Sequence, residues 1–244
     1  MRRFLLLGSR AEDLAAEGEY AAFLRFSGLR PDELERVRME QGSFLPVALD
    51  RYDGVIVGGS PYDASTPEEE KSPAQRRVEA EMSTLLDEIV DRDLPFLGAC
   101  YGVGTLGVHQ GAVIDRTYAE PISAVTITLT EAGRRDPLLA ALPETFDAFV
   151  GHKEACRVLP PDAVLLASSP TCPVQMFRVR EHLYATQFHP ELDVPGIITR
   201  IGVYRDYGYF RPQEHDDVVA GVRSADVWAP PRILEAFVRR YGRD

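Results

Sequence analysis

The chain has 244 residues and a formal net charge of −11, enough for one large domain with a substantial buried core and short for two. The acidic balance argues against a nucleic-acid or anionic-membrane partner, and no apolar run approaches the roughly 20 residues of a membrane span. Cys100, Cys156 and Cys172 lie far apart without C-x-x-C spacing, so neither a disulfide framework nor a zinc site is expected, and a reducing cytoplasm is the matching compartment.

Arg2-Arg3 followed by Phe4–Leu7 has the outline of a secretory leader, but the apolar run is short. Ser9-Arg10-Ala11-Glu12-Asp13 is also charged where a cleavage region would be small and neutral. A buried first strand over Phe4–Leu7 is the expectation. From Leu14 to Gln41 the apolar positions Leu14, Tyr20, Phe23, Leu24, Phe26, Leu34 and Val37 fall at helical spacing, broken by Gly28 and Pro31, which predicts two helices. Gly54–Val57 reads as a buried strand ending in a Gly58-Gly59 turn. Residues 60–72 read as an acidic, Pro-containing loop, a solvated connection or a lid. Ala74–Val90 carries Val78, Met82, Leu85, Leu86 and Ile89 on one helical face and delivers the chain to an apolar strand that ends at Cys100.

After the helix that should follow Cys100 the pattern changes. Val125–Thr130 alternates strictly and predicts a half-exposed strand, with further short strands near 146–150, 164–167, 174–179 and 183–188. Helices are predicted over 195–209, 216–222 and 232–241, the last opened by Pro230-Pro231. The class is therefore α/β: a mostly parallel central sheet flanked by helices, with antiparallel strands added to it. Residues 1–192 form the expected main domain, and 193–244 a helical C-terminal extension packed on it.

The chemistry centres on Gly98-Ala99-Cys100-Tyr101-Gly102, a Gly-x-Cys-x-Gly turn between strand and helix. A nucleophile at such an elbow needs small neighbours because the backbone turns sharply there. The new helix N-terminus would direct N–H groups at the sulfur and lower its pKa. A lone cysteine is more often a buried structural residue, so partners decide. Gln187-Phe188-His189-Pro190-Glu191 follows a predicted strand and supplies them: His189 as proton carrier, and Glu191 to orient its ring. Acyl transfer also needs oxyanion donors. The Tyr101 N–H just past the nucleophile and the Gly58-Gly59-Ser60-Pro61 turn after another strand are suitably placed to provide them, although the glycine pair taken alone reads as an ordinary tight turn. His109, His182 and His215 read as surface residues, and Cys156, Cys172 and His152 lack metal-ligand spacing.

Gly58-Gly59-Ser60-Pro61, Gly98–Gly102, Gln110-Gly111-Ala112 and Phe188-His189-Pro190-Glu191 appear in one order over residues 50–192. Together they resemble the class I glutamine amidotransferase family, in the form similar to the glutaminase half of GMP synthase. The resemblance implies a flavodoxin-like fold and a Cys100–His189–Glu191 triad with oxyanion donors Gly59 and Tyr101. It implies attack on a glutamine side-chain amide through a γ-glutamyl thioester, ammonia release, and no cofactor or metal. Gly58, Ser60, Gly104 and His152 would contact the small-molecule substrate.

The sequence departs from the family pattern at Gly104, four residues after the nucleophile, where the family usually has a glutamine that helps hold the substrate. No Gly-rich phosphate loop follows, so an acceptor-aminating synthetase would reside on another chain. Two alternatives stand beside the glutaminase: a hydrolase of γ-glutamyl amides or peptides using the same triad, and a non-catalytic regulatory or binding protein.

Overall fold

The computed structural model describes residues 2–243; the outer ends of the expected 1–192 and 193–244 division, Met1 and Asp244, lie outside the described residues. Strands β1 (Phe4–Gly8), β2 (Leu34–Arg38), β3 (Gly54–Val57), β4 (Phe96–Ala99), β6 (Glu120–Leu129), β7 (Thr145–His152), β9 (Val164–Ser168), β10 (Met176–Val179) and β11 (Leu183–Thr186) form one nine-stranded sheet. Its order is β2-β1-β3-β4-β11-β10-β9-β6-β7. From β2 to β11 every pair is parallel; from β11 to β7 every pair is antiparallel. The parallel core with added antiparallel strands is thus a single surface, and β11 is the strand where the two halves join. A small second sheet pairs β5 (Val113–Asp115) with β8 (Ala155–Val158); three or four residues each left no period to read.

Alternation along β1 explains how the parallel half is covered. Phe4 and Leu6 join one core with Phe23 of α1 (Asp13–Ser27) and Ile233, Leu234, Phe237 and Val238 of α7 (Pro231–Tyr241). Leu5 and Leu7 join the opposite core with Val78, Met82, Leu85, Leu86 and Ile89 of α2 (Pro73–Asp91) and Val103 and Leu106 of α3 (Tyr101–His109). A strand covered on both faces reads as a continuous apolar run, as Phe4–Leu7 does. The face predicted for α2 is the face that is buried, and its Ser72 cap accepts a hydrogen bond from the Gln75 N–H. A third cluster joins Ile122 and Phe149 of β6 and β7 to Leu192, to Ile197 and Ile201 of α5 (Val194–Val203), and to Val222 of α6 (His215–Arg223).

Two expectations are corrected. The second helix before Gln41 is instead strand β2, with Leu34 paired to Phe4 and Val37 to Leu7; Leu34 and Val37 are three apart and imitate a helical face, but the open edge of β1 captures the segment. The helix over 195–209 stops at Val203. Beyond it the chain turns at Tyr204 and passes through Gly208 at φ +81°, and Tyr207 and Tyr209 pack their rings on Tyr204. The short α4 (Glu131–Arg135), capped by Thr130, carried no sequence signal of its own.

Candidate active site

Cys100 closes β4 and caps α3 with φ +51° and ψ −82°, a backbone state that costs a non-glycine residue of order 1–3 kcal/mol. It is held there by its own N–H, which donates to the Thr186 carbonyl of β11 at 2.7 Å. Gly98 is what permits the turn: a Cβ there would sit 2.6 Å from Gly102 Cα. A Cβ on Gly102 would meet nothing within 4 Å, so only one of the two glycines in the Gly-x-Cys-x-Gly pattern is sterically required.

β11 lies parallel to β4, with Thr186 opposite Ala99, so the segment leaving β11 emerges beside the elbow. His189 donates its backbone N–H to the Phe149 carbonyl at 3.0 Å, and its Nδ1 lies 2.9 Å from Glu191 Oε1. Glu191 is fully buried. Arg200 of α5 donates from Nη2 to the same Glu191 oxygen at 2.9 Å and brings Nη1 to 3.0 Å from His189 Nδ1. A guanidinium only donates, so Glu191 is the acceptor shared by the His189 Nδ1–H and Arg200. The neighbouring His189 and Arg200 hold its carboxyl well below the usual carboxylate range against the opposing effect of burial. Burial keeps the His189 pKa below its ordinary value, with Glu191 opposing and Arg200 and Arg10 reinforcing, so the resting imidazole is neutral.

Arg200 in turn shares Glu19 of α1 with Arg10 from the loop after β1. Arg200 Nη2 and Arg10 Nε donate to Glu19 Oε1 at 3.1 and 2.8 Å. Arg10 Nη1 donates to the Tyr204 hydroxyl at 3.0 Å, which donates on to Glu12 at 3.1 Å. Arg10, Glu19 and Arg200 are buried, and this ladder of two guanidiniums and two carboxylates was not read from the sequence. A charge inside the apolar helix Val194–Val203 was the one signal that could have pointed to Arg200.

Gly58 and Gly59 are required by this ladder. A Cβ on Gly58 would fall 2.5 Å from Glu19 Oε2; one on Gly59 would fall 2.6 Å from His189 Cε1 and 2.7 Å from Arg10 Nη2. Ser60 is buried and its Oγ accepts from the Tyr62 N–H, forming the turn.

Two compartments meet at Cys100. The first is lined by Arg10, His189, Arg200 and Tyr204 with an aliphatic wall of Val150, Leu192 and Ile197. The second is lined by Tyr62, Asp63, Tyr101, Gly104, Glu154 and Gln187. Ser60, Gly151 and Tyr209 face both, and the Tyr209 ring carries Lys153 Nζ 4.7 Å above its centre.

Gly104 is occupied space. A Cβ on it would lie 2.7 Å from Glu154 Oε1, and the Glu154 carboxylate is pinned by the N–H groups of Ala64 and Ser65 at 2.8 and 2.7 Å. His152 lines the second compartment, but both ring nitrogens are engaged, Nε2 with Glu120 at 2.7 Å and Nδ1 with the Glu154 carbonyl at 2.8 Å. It therefore positions Glu154. Glu120 also accepts from Gln175 at 2.8 Å and from Thr171. Glu120, His152 and Cys172 bring possible metal-ligand atoms within 4.8 Å of one another, yet Glu120 and His152 already have protein partners. His109, His182 and His215 each pair with a nearby aspartate, Asp87, Asp93 and Asp216, and none lines either compartment.

The expected lowering of the thiol pKa is not what this environment produces. Burial pushes the Cys100 thiol up to about 12, with Glu191, Glu154 and Asp63 adding to the effect and Arg10 opposing it. Desolvation of a charged sulfur outweighs a helix N-terminus worth at most about 2 kcal/mol. The resting pair is thiol and neutral imidazole, so any use of this sulfur as a nucleophile would require its proton to move. Burial also raises the pKa values of Asp63 and Glu154. Gln187 Nε2 lies 4.0 Å from the sulfur, while its buried Oε1 finds no partner among the described residues.

Residues 33–194 match the family model described as Glutamine amidotransferase class-I. The chain is 32% identical over 146 residues to one of the subunits of a glutamine-hydrolysing GMP synthase from Thermoplasma volcanium, covering 59% of this chain and 65% of that one. It is 29% identical over 176 residues to the putative glutamine amidotransferase-like protein YfeJ of Salmonella typhimurium, covering 72% of each. The match thus spans just under two thirds of the length of the Thermoplasma protein, and 23% of the GMP synthase of Thermomicrobium roseum. In fold, it superposes on a glutamine amidotransferase from Thermotoga maritima with a TM-score of 0.76 at 22% identity, over 99% of both chains. It superposes on another from Methylobacillus flagellatus with a TM-score of 0.72 at 15% identity, over 100% of this chain and 97% of that one.

Proposed function

From the membership of this chain in the class I glutamine amidotransferase family, we propose that it hydrolyses the side-chain amide of glutamine through a γ-glutamyl thioester on Cys100 and releases ammonia. The observation that carries this reading is the pairing of a strained cysteine elbow on β4 with a buried His189–Glu191 couple at the end of the adjacent parallel strand. With Nδ1–H donated to Glu191, the Nε2 lone pair of His189 is free to take the thiol proton. Sulfur attacks the amide carbonyl, and the oxyanion is received by the Gly59 and Tyr101 N–H groups. His189 returns the proton to the nitrogen as the C–N bond breaks. Water then enters by the same route in reverse, releasing glutamate and restoring the thiol.

His189 faces only the first compartment, so the leaving nitrogen departs there and the acyl chain occupies the second, where Asp63 and Glu154 suit its ammonium group. Ser60 lines both compartments, and Gly58 leaves room beneath them for Glu19. The Thermoplasma relative is named as one component of a GMP synthase. We extend that arrangement to this chain: an acceptor-binding synthetase on a separate polypeptide consumes the ammonia.

The test is ammonia and glutamate release from glutamine, alone and with candidate synthetase chains. Cys100→Ala and His189→Ala should each lower kcat by several orders of magnitude, of the scale of about 10⁴ or more seen when a nucleophile or its base is removed. Glutaminase activity that survives Cys100→Ala would refute the assignment. A second reading, a hydrolase of larger γ-glutamyl amides with water as acceptor, follows from Gly104 itself, which brings no side chain of its own to hold free glutamine. Preference for γ-glutamyl amides over free glutamine in a substrate panel would select it.

A further inference from the structure

Cys100 sits in surroundings that oppose the thiolate. The carboxyl groups of Asp63, Glu154 and Glu191, on the loops after β3, β7 and β11, each disfavour a charged sulfur. The His189 ring is neutral at rest, and the half-buried Tyr209 phenol is un-ionised. Against these stands Arg10, which favours the charged sulfur, is 5% exposed and lines the same compartment as Cys100. The other nearby guanidinium, Arg200, is spent on Glu191 and Glu19.

The posture of Arg10 is fixed on two of its nitrogens. Nε is held by Glu19, and Nη1 by the Tyr204 hydroxyl, with the guanidinium carbon 5.3 Å from the Tyr204 ring centre. Nη2 is the third, and no hydrogen-bond acceptor engages it among the described residues. It points at the spot a Gly59 side chain would fill, across from His189 Cε1. A guanidinium held rigid by Glu19 and Tyr204 in the compartment that Cys100 also lines is already oriented before charge develops, the condition under which an electrostatic contact lowers a barrier most.

We propose that Arg10 is the electrostatic partner of the Cys100 sulfur, with its guanidinium stabilising the negative charge that the sulfur carries during the reaction. That charge appears twice. It forms as the S–H proton passes to His189 while the S–C bond is made, and again as water displaces the sulfur from the thioester and the C–S bond breaks. The kinetic consequence rests on the amide-hydrolysis reading above; the consequence for thiol ionisation does not.

The experiment compares the intact wild-type chain with Arg10→Gln, which keeps hydrogen-bonding capacity without charge, and Arg10→Lys, which keeps the charge. Iodoacetamide labelling of Cys100, resolved by mass spectrometry of the Cys100 peptide, is followed against pH. Arg10→Gln should raise the half-labelling pH by about one unit or more, a tenfold loss of thiolate at a given lower pH, while Arg10→Lys shifts it by less than about half of that. On glutamine, Arg10→Gln should lower kcat at least about tenfold, with KM changed far less.

An unchanged labelling profile in Arg10→Gln overturns the proposal, even if kcat falls, because a purely structural arginine would do that. Should Arg10→Gln not fold, Arg10→Lys still decides: a shift of about a full unit there overturns the proposal, since the charge is retained. If the wild type hydrolyses neither glutamine nor any γ-glutamyl amide, the amide-hydrolysis reading fails by itself and the labelling profile still decides for or against Arg10.

Discussion

Gly59→Ala probes the tightest packing in the site. The added methyl would lie 2.6 Å from His189 Cε1 and 2.7 Å from Arg10 Nη2, against about 3.5 Å for a relaxed carbon contact, so a group must retreat by about 1 Å. The imidazole cannot yield easily: its backbone N–H is fixed to Phe149 and its Nδ1 to Glu191. Arg10 is clamped by Glu19 and Tyr204. A displacement of that size in a catalytic group costs of order 10²-fold in rate, and over-packing a tight site costs about 1–3 kcal/mol. Steady-state glutaminase kinetics should show kcat down about 100-fold, and calorimetry a Tm lower by about 2–10 °C. Gly102→Ala is the internal control, since its methyl meets nothing within 4 Å and should leave Tm within about 2 °C of wild type. The steric reasoning is refuted if Gly59→Ala keeps more than about a third of wild-type kcat, or if the two variants are equally destabilised.

Glu19→Ala removes the anion between Arg10 and Arg200. Losing one member of a buried ion pair costs about 3–5 kcal/mol, so Tm should fall by about 6–20 °C; a drop under about 3 °C would show that the ladder is not a structural unit. The raised thiol pKa of Cys100 means that stability from its neutral form is fully present below the ordinary value of 9.0 and is lost as pH rises toward about 12. Urea unfolding at pH 7.5 and at pH 10 should therefore show the difference between wild type and Cys100→Ser changing with pH, and a constant difference would contradict it. At the acid end His189 works in the opposite sense: its pKa is below the ordinary 6.5 in the fold, so its contribution is complete above that value and lost as pH falls. His189→Gln should flatten the stability curve just below pH 6.5, and an acid limb identical to wild type would count against the buried neutral ring.

What could be read from the chain depended on the range of the interactions. β1, β3, α2, β4 and α7 are defined by local pattern, an apolar run or a one-sided helical stripe, and each was found where that pattern lay. β2 was not, because Leu34-Glu35-Arg36-Val37-Arg38 has only one fully buried side chain and owes its extended form to pairing with β1. The same limit hid β5 and β8, whose partners are 40 or more residues away in sequence.

The site divides along the same line. Cys100, His189 and Glu191 are legible because each stands in a short segment whose backbone chemistry marks it: a glycine-flanked turn, and a His-Pro-Glu step at a strand end. Arg10, Glu19 and Arg200 come from three distant segments and meet only when α1 and α5 pack beside the strand ends. Their cost of burial is offset by one another, by Glu191 and by Tyr204, so no one of them carries a signature alone. The glycines bridge the two levels. Gly58 and Gly59 looked like an ordinary turn, yet the groups their absent side chains would strike are Glu19, His189 and Arg10. The small residues thus outlined the hidden charges: a glycine pair at a strand end needs a physical reason, and here the reason is a buried carboxylate beneath one residue and a guanidinium with an imidazole beside the other. The same argument applies at Gly104, where a departure from the family pattern matches a carboxylate, Glu154, already standing in the vacated volume.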